Sequence, residues 1–559
     1  MAGTKKMASR GACAALAVTA ALALAACGSV TATTRSPASV ALVSEGSPSG
    51  PMTDNFNPWE QTSTLVLLNA IAMIYEPLYQ FDLAQPGTNY PWLATSYAWA
   101  HNGMQLTFTL RSGVKWSDGS PFTSADAAFT FNLLKNNPAV NSNAIPITGV
   151  SAPDPSTVVL TFSSPQYADF YFIATTYMVP ASLWRHISKP ETYANQKPVG
   201  TGPYLLSSFS PKEFDLKANP SYWQRGLPKI TELRYPAYDT NDSANFALSE
   251  GTLQWAGNFI AGMAQIYVAK DPAHNRYWFP PQNTVSLIPN LKSGPTADLA
   301  VRQAISDAIS RATISQDGEA GIEPPATSAT GLVLPLLQQY LAPAARQYTL
   351  NPDADVAKAK ADLEADGYVL DRNGVFAKNG KELSVTLVDP SSFSDYAGDC
   401  QIIVTELKAA GINASFQGLP VSEWTSDVAT GNFQLTIHWS NGAFTPYNLY
   451  SGWLDSAETA PIGKSATGDF ERFSDASIDS GLAAFAATNS LAAQVQALAP
   501  IEQAMATQLP VIPLVYGVSF GEYVTTHFTG WPSPDNPYEV ASPTSPNNEV
   551  VVLHLSLAS

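Results

Sequence analysis

Apolar side chains recur at every second position from Leu106 to Leu110, with Thr107 and Thr109 between them, the period of a half-buried strand. Gly113 breaks the run, and Asp118-Gly119 forms a tight-turn pair, because glycine supplies the positive φ such a turn needs. Thr123 is an N-cap, and Asp126 three residues on completes a capping-box pattern, which predicts a helix. Thr157–Phe162 alternates like Leu106–Leu110 and is expected to pair with it. Val301, Ala304, Ile305, Ala308, Ile309 and Ala312 fall on one helical face, with Arg302, Asp307 and Arg311 outside it. Thr64–Tyr79 reads as one buried helix, too short to span a bilayer and carrying Asn69 and Glu76. Asn351-Pro352 is expected to start a helix that Gly367 stops. A further helix runs from near Asp399 to Gly411, and Val511–Tyr516 is a β-rich run after a helix ending near Gln508.

The N-terminus has a different pattern. Lys5, Lys6 and Arg10 precede an Ala/Leu-rich segment, Gly11–Ala26, which ends in Leu24-Ala25-Ala26-Cys27. That layout matches a lipoprotein signal, with residues 1–26 expected to be cleaved and the Cys27 sulfur to take the lipid; an uncleaved anchor or an ordinary secretory signal is the alternative. Residues 27–49 are Ser/Thr/Ala/Pro-rich with few large apolar groups. Such a segment buries too little to offset its ordering entropy, so it reads as a tether that orders from about Ser39. Cys13 leaves with the signal, and Cys400 has no partner. A disulfide framework and a thiolate metal cluster are both excluded, and Cys400 reads as a small buried hydrophobe.

The formal charge of −17 becomes about −20 once the three signal cations are removed, which argues against nucleic acid or anionic lipid as partner. Charged residues are only 13% of the chain, about half the usual share. Catalytic chemistry has one candidate, Gly517-Val518-Ser519-Phe520-Gly521, with Asp535 and His554 downstream. A hydrolase elbow needs a helix after the serine. Glu522–Thr526 is β-like instead, so Ser519 is not assigned as a nucleophile and no catalytic residue is expected. The six histidines are scattered without a ligand pair, so no metal and no cofactor is expected.

Several motifs carry a resemblance. LRSGVKWSDGSPFTSAD (Leu110–Asp126) is similar to the signature of the family 5 extracytoplasmic solute-binding proteins of ABC importers. NFNPW (Asn55–Trp59), IYEPLY (Ile74–Tyr79), PWLATSYAW (Pro91–Trp99), PVGTGPY (Pro198–Tyr204), NPSYWQRGLPKI (Asn219–Ile230) and VRQAISDAISR (Val301–Arg311) follow collinearly. The resemblance implies an α/β fold of two closing lobes, of the large type with an extra subdomain inserted in lobe one. Lobe one would comprise residues 38–82, 196–285 and 512–559. The inserted subdomain would be 83–195 and lobe two 286–511. It also implies a monomer outside the cytoplasmic membrane, held there by its lipid, which delivers solute to permease subunits with a separate ATPase.

In peptide-binding relatives an aspartate follows the tryptophan that matches Trp439 and pairs with the peptide ammonium. Here Asn441 stands nearest that position, and an amide brings no full charge. Gly530–Tyr538 resembles the G-W-P-x-x-D-N-P-Y of the oligosaccharide-binding branch. A sugar offers apolar C–H faces and a hydroxyl rim. Trp59, Trp255, Trp424, Trp439 and Trp453 are candidate platforms, with Asn57, Asn258, Ser440 and Asn441 as polar partners; core packing competes for each tryptophan. The expected ligand is a neutral oligosaccharide, β-glucoside-like. An oligopeptide is the alternative and would need another anchor, for example Asp427 or Asp455.

Overall fold

The structure, a computed structural model, describes residues 41–44, 50–442 and 445–558. The signal segment and Cys27 lie outside the described residues. Within the expected tether, Leu42–Val43 is a strand that pairs in parallel with Leu233 and Arg234. It edges a sheet completed by Glu232–Pro236, Glu213–Ala218 and Tyr204–Ser210.

Gln105–Leu110 pairs antiparallel with Thr157–Phe162, in the register Leu106 to Leu160 and Phe108 to Val158. Ala94–Ala100 and Ile147–Asp154 flank the pair. The helix Ser124–Asn136 opens on the expected capping box, with the Thr123 N–H donating to Asp126 Oδ2 at 3.0 Å. This unit buries Trp116, Phe108 and Phe131 in its own core.

A second, five-stranded sheet has the spatial order Asn413–Leu419, Ser384–Pro390, Leu435–Trp439, Pro281–Pro289, Ile512–Val518. The first three strands are parallel and the last two antiparallel to their neighbours. On one face Val285, Leu287 and Leu387 pack on Cys400, Ile403 and Leu407 of the helix Ser394–Ala409. Burial pushes the Cys400 thiol far up, which suits a core residue. On the other face Ile288 and Val388 meet Trp424, Leu449, Trp453 and Ile501. With both faces covered, the strands read as nearly unbroken apolar runs.

Pro281–Pro289 and Ile512–Val518 lie whole in this sheet. Their pairing continues beyond it: the Ser519 N–H donates to Pro280 O and the Trp278 N–H to Gly521 O, both at 2.9 Å. It runs on into Asn275–Tyr277 against Glu522–Val524, part of a three-stranded sheet with Trp255–Ala256. One antiparallel ribbon therefore joins the two sheets.

Two helix expectations are corrected. Thr64–Tyr79 is two short helices, Thr64–Leu67 and Ile71–Ile74, followed by extended chain and a strand from Tyr79. Asn69 sits at φ 52° between the helices, and Pro77 disfavours helix at Glu76. The helix expected from Pro352 starts at Val356, where the Asp355 side chain caps Lys358 N. Gly367, at φ 87°, follows its end as expected.

Candidate functional site

In open α/β sheets ligands sit beyond the carboxyl ends of the strands. Leu435–Trp439 ends there, and its last residue, Trp439, is 40% exposed. The next residue locks the strand end: the Ser440 N–H donates to Thr284 O at 2.9 Å, and Ser440 Oγ accepts from the Thr284 N–H at 3.0 Å. The helix Pro446–Leu454 begins after Thr445, with proline in its first turn, where a missing N–H costs nothing.

Trp439 tops a group of rings. His438 lies 4.5 Å from it by centroids, with Tyr396 at 6.2 Å and Trp424 at 6.3 Å. Trp424 is fixed from below. Its Nε1 donates to Thr436 Oγ1 at 2.8 Å, and Thr436 Oγ1 donates to the buried Asp389 at 3.1 Å. Desolvation lowers the basicity of His438, and its Nδ1 lies 2.8 Å from Trp439 O. A carbonyl only accepts, so Nδ1 carries a proton.

Beneath Trp439 lies a cavity of about 310 Å³. Trp439, Asn441 and Thr467 form its exposed rim; Ile288, Trp453 and Glu471 are buried at its base. Two glycines shape the wall. A Cβ on Gly452 would stand 2.6 Å from Asn441 Nδ2, and one on Gly468 would stand 3.0 Å from Gly452 O. Asn441 Nδ2 accordingly reaches Asn448 O at 3.2 Å, and the Asp469 N–H reaches Gly452 O at 2.7 Å. The lining holds two acids, Glu458 and Glu471, and no lysine or arginine. Thr467 Oγ1 donates to Glu458 Oε2. Glu471 is 1% exposed and neither carboxyl oxygen has a partner. Burial, then the neighbouring Asp469, raise it well above the usual carboxylate range.

Trp424, Trp439, Asn441 and Trp453 thus come together, three of them lining one cavity. The other expected residues are held elsewhere. Asn57 is fully buried and donates to Pro190 O at 2.7 Å and Tyr193 O at 2.9 Å. Trp59 packs edge-on to Trp184 at 4.9 Å. Trp255 is fully buried, donates to Ala541 O and meets the ring of Trp531. The Asn258 N–H donates to Glu522 Oε2 at 3.2 Å. Ser440 is spent on Thr284. Asp427 accepts from Asn432, and Asp455 from the Ala457 N–H; neither lines the cavity. Sequence reasoning missed Tyr396, Thr467, Phe470 and Glu471. The one signal, for Phe470 and Glu471 alone, was acids interleaved with aromatics in Gly468–Phe473.

The Ser519 candidate does not fit a hydrolase elbow. Ser519 is followed by a strand, not a helix, and His554 Nδ1 contacts Val550 O while its ring stacks on Tyr538. Among the described residues no group of three or more His, Cys, Asp or Glu is placed to hold a metal, and no helix is long and apolar enough to cross a membrane.

A sequence model of "Bacterial extracellular solute-binding proteins, family 5 Middle" matches residues 88–461, more than half of the chain. The nickel-binding periplasmic protein of Escherichia coli (strain K12) is 28% identical over 403 residues, 68% of this chain and 72% of that one. The periplasmic oligopeptide-binding protein of an ABC transporter from Thermotoga maritima superposes with a TM-score of 0.82 at 24% identity, covering 93% of this chain and 99% of the other. The same protein with mannohexaose bound gives 0.74 at 24% identity, covering 93% and 98%. The match over most of the chain, the two-lobed fold and a site built to hold rather than to react lead to one assignment: the chain belongs to the family 5 bacterial extracellular solute-binding proteins, non-enzymatic receptors of ABC importers.

Proposed function

We propose that this protein captures a neutral oligosaccharide, β-glucoside-like, between its lobes and presents it to the permease of an ABC importer. The observation that carries the reading is Trp439, an exposed indole at the mouth of a cavity whose lining has no cation and has an amide, Asn441, near the position where peptide-binding relatives carry an aspartate. The ring presents a flat apolar face to sugar C–H groups, and amide, hydroxyl and carboxyl groups suit the hydroxyl rim. The mannohexaose complex of the Thermotoga protein supports a sugar on this fold. Ligand contacts to both lobes favour the closed population. The lobes meet along the ribbon 275–289 with 512–524, and lipid on Cys27 anchors the receptor outside the cytoplasmic membrane.

A thermal-shift screen tests it, using the chain from residue 28 onward, which contains the whole compact unit 40–559. A ligand of the native state raises the midpoint with concentration. The expected result is a saturable rise with β-linked glucose oligomers or mannohexaose, weakened in Trp439→Ala. An oligopeptide is the second reading, favoured by Glu458 in the cavity lining, an acid able to pair with an ammonium. A rise with di- to pentapeptides alone would replace the sugar reading with that one. Loss of membrane retention in Cys27→Ala tests the anchor.

A further inference from the structure

Glu471 poses a specific problem. A buried polar group without a partner is costly, yet both carboxyl oxygens of Glu471 are unpartnered at 1% exposure. Its neighbour Arg472 attracts it electrostatically but gives it no hydrogen bond. That guanidinium gives Nη1 to Phe470 O at 2.8 Å and Nη2 to Ala429 O at 2.7 Å. Asp469 is engaged by the Phe473 N–H at 2.7 Å. The unsatisfied group lines the cavity under Trp439, which runs from an exposed rim to a buried base.

We infer that this cavity is an end-recognition subsite: it takes one terminal sugar ring of the ligand, with Glu471 bonding a ring hydroxyl and Trp439 covering the ring at the rim. The inference rests on the oligosaccharide reading and adds which part of the ligand is read and by what. The space, about 310 Å³, is large enough to take one pyranose with its hydroxyls. The buried base stops a chain from threading through, so only an end enters. A carboxyl accepts from a sugar hydroxyl whether or not it is ionised. Trp453 and Phe470 supply apolar wall for the C–H faces.

The test is calorimetric titration with cellopentaose and mannohexaose on the chain from residue 28 onward. Thr467 is exposed at the rim, so Thr467→Trp plugs the entrance without disturbing the core. The expected result is at least a tenfold loss of affinity in Thr467→Trp and in Glu471→Leu. Glu471→Gln, which keeps an acceptor, should stay within threefold of the parent. If Trp439→Ala weakens binding while Thr467→Trp and Glu471→Leu match the parent, the subsite is overturned and the sugar reading stands. If the parent binds neither sugar, the reading fails and the subsite with it. Glu471→Leu is informative only if it folds; Thr467→Trp decides the matter regardless.

Discussion

The indole N–H of Trp223 reaches the carboxyl of Glu76 across 147 positions of chain, donating to Oε1 at 2.9 Å and to Oε2 at 3.0 Å. Trp92 Nε1 and the Tyr222 hydroxyl donate to the same Oε1 at 2.8 Å each. Glu76 is fully buried. Replacing it with alanine strands the buried Trp92 N–H and the half-buried Trp223 N–H, each costing about 1–3 kcal/mol, while the Tyr222 hydroxyl keeps Glu549 Oε1 at 3.2 Å. Glu76→Ala should therefore lose roughly 3 kcal/mol or more, and Glu76→Gln distinctly less. Urea denaturation followed by circular dichroism reads both, and equal midpoints for Glu76→Ala and the parent would contradict the role.

Gly200 lies against backbone. A Cβ there would stand 1.8 Å from Ile74 O, which also accepts the Gly202 N–H at 2.9 Å. A carbonyl cannot swing aside as a side-chain tip can. Gly200→Ala should destabilise by about 3 kcal/mol or more, seen as lower soluble yield and an earlier urea midpoint. Gly119→Ala meets no atom but keeps a positive φ, so it should lose only about 1 kcal/mol.

Trp439→Ala should behave in the opposite way. The ring is 40% exposed, so the midpoint of unliganded unfolding should move little, by about 1 kcal/mol or less. Ligand-induced stabilisation should fall sharply. Trp424→Ala, which removes a buried ring and its bond to Thr436, should lose about 3–5 kcal/mol.

Stability should fall as the medium turns alkaline. Burial raises Glu502 to about 8, and its carboxyl accepts from the Ala342 N–H at 3.0 Å. A carboxyl that holds its proton more tightly folded than unfolded stabilises fully below its unfolded pKa near 4.5. That contribution is lost as pH rises through the folded value. Glu319 and Asp389, each raised to about 7 chiefly by burial, act in the same direction. Between pH 5 and 8.5 the parent's melting temperature should fall. Glu502→Gln keeps the acceptor, loses the titration and should show a shallower fall. Parallel profiles would remove Glu502 as a source.

The local grammar of the chain was readable, and its convergence was not. The capping box at Thr123 and the pairing of Leu106 with Leu160 follow from side-chain periods of a few residues. That the Ser117 N–H would meet Gly200 O at 2.9 Å, or Glu76 meet Trp223, is written in no period, because chain reversals decide it. The site shows the same division. Tryptophan's dual nature marked Trp439 and Trp255 alike, and only burial separates the exposed ring from the one locked to Ala541. Thr64–Tyr79 failed for a local reason that could have been weighed: Asn69 tolerates the left-handed turn that splits the run.

The ribbon that joins the two sheets behaves mechanically like a leaf spring. Its two strands are cross-linked by backbone bonds from Asn275 with Val524 to Leu287 with Ile512, so sliding one along the other would tear every rung at once. Flexing out of its plane strains few of them, and the rungs are sparsest where Pro280, Pro281 and the irregular register to Asn283 interrupt the ladder. The lobes should consequently swing like a book about its spine, in alignment at every angle, and a wall set on one page meets the same words on the other each time it shuts.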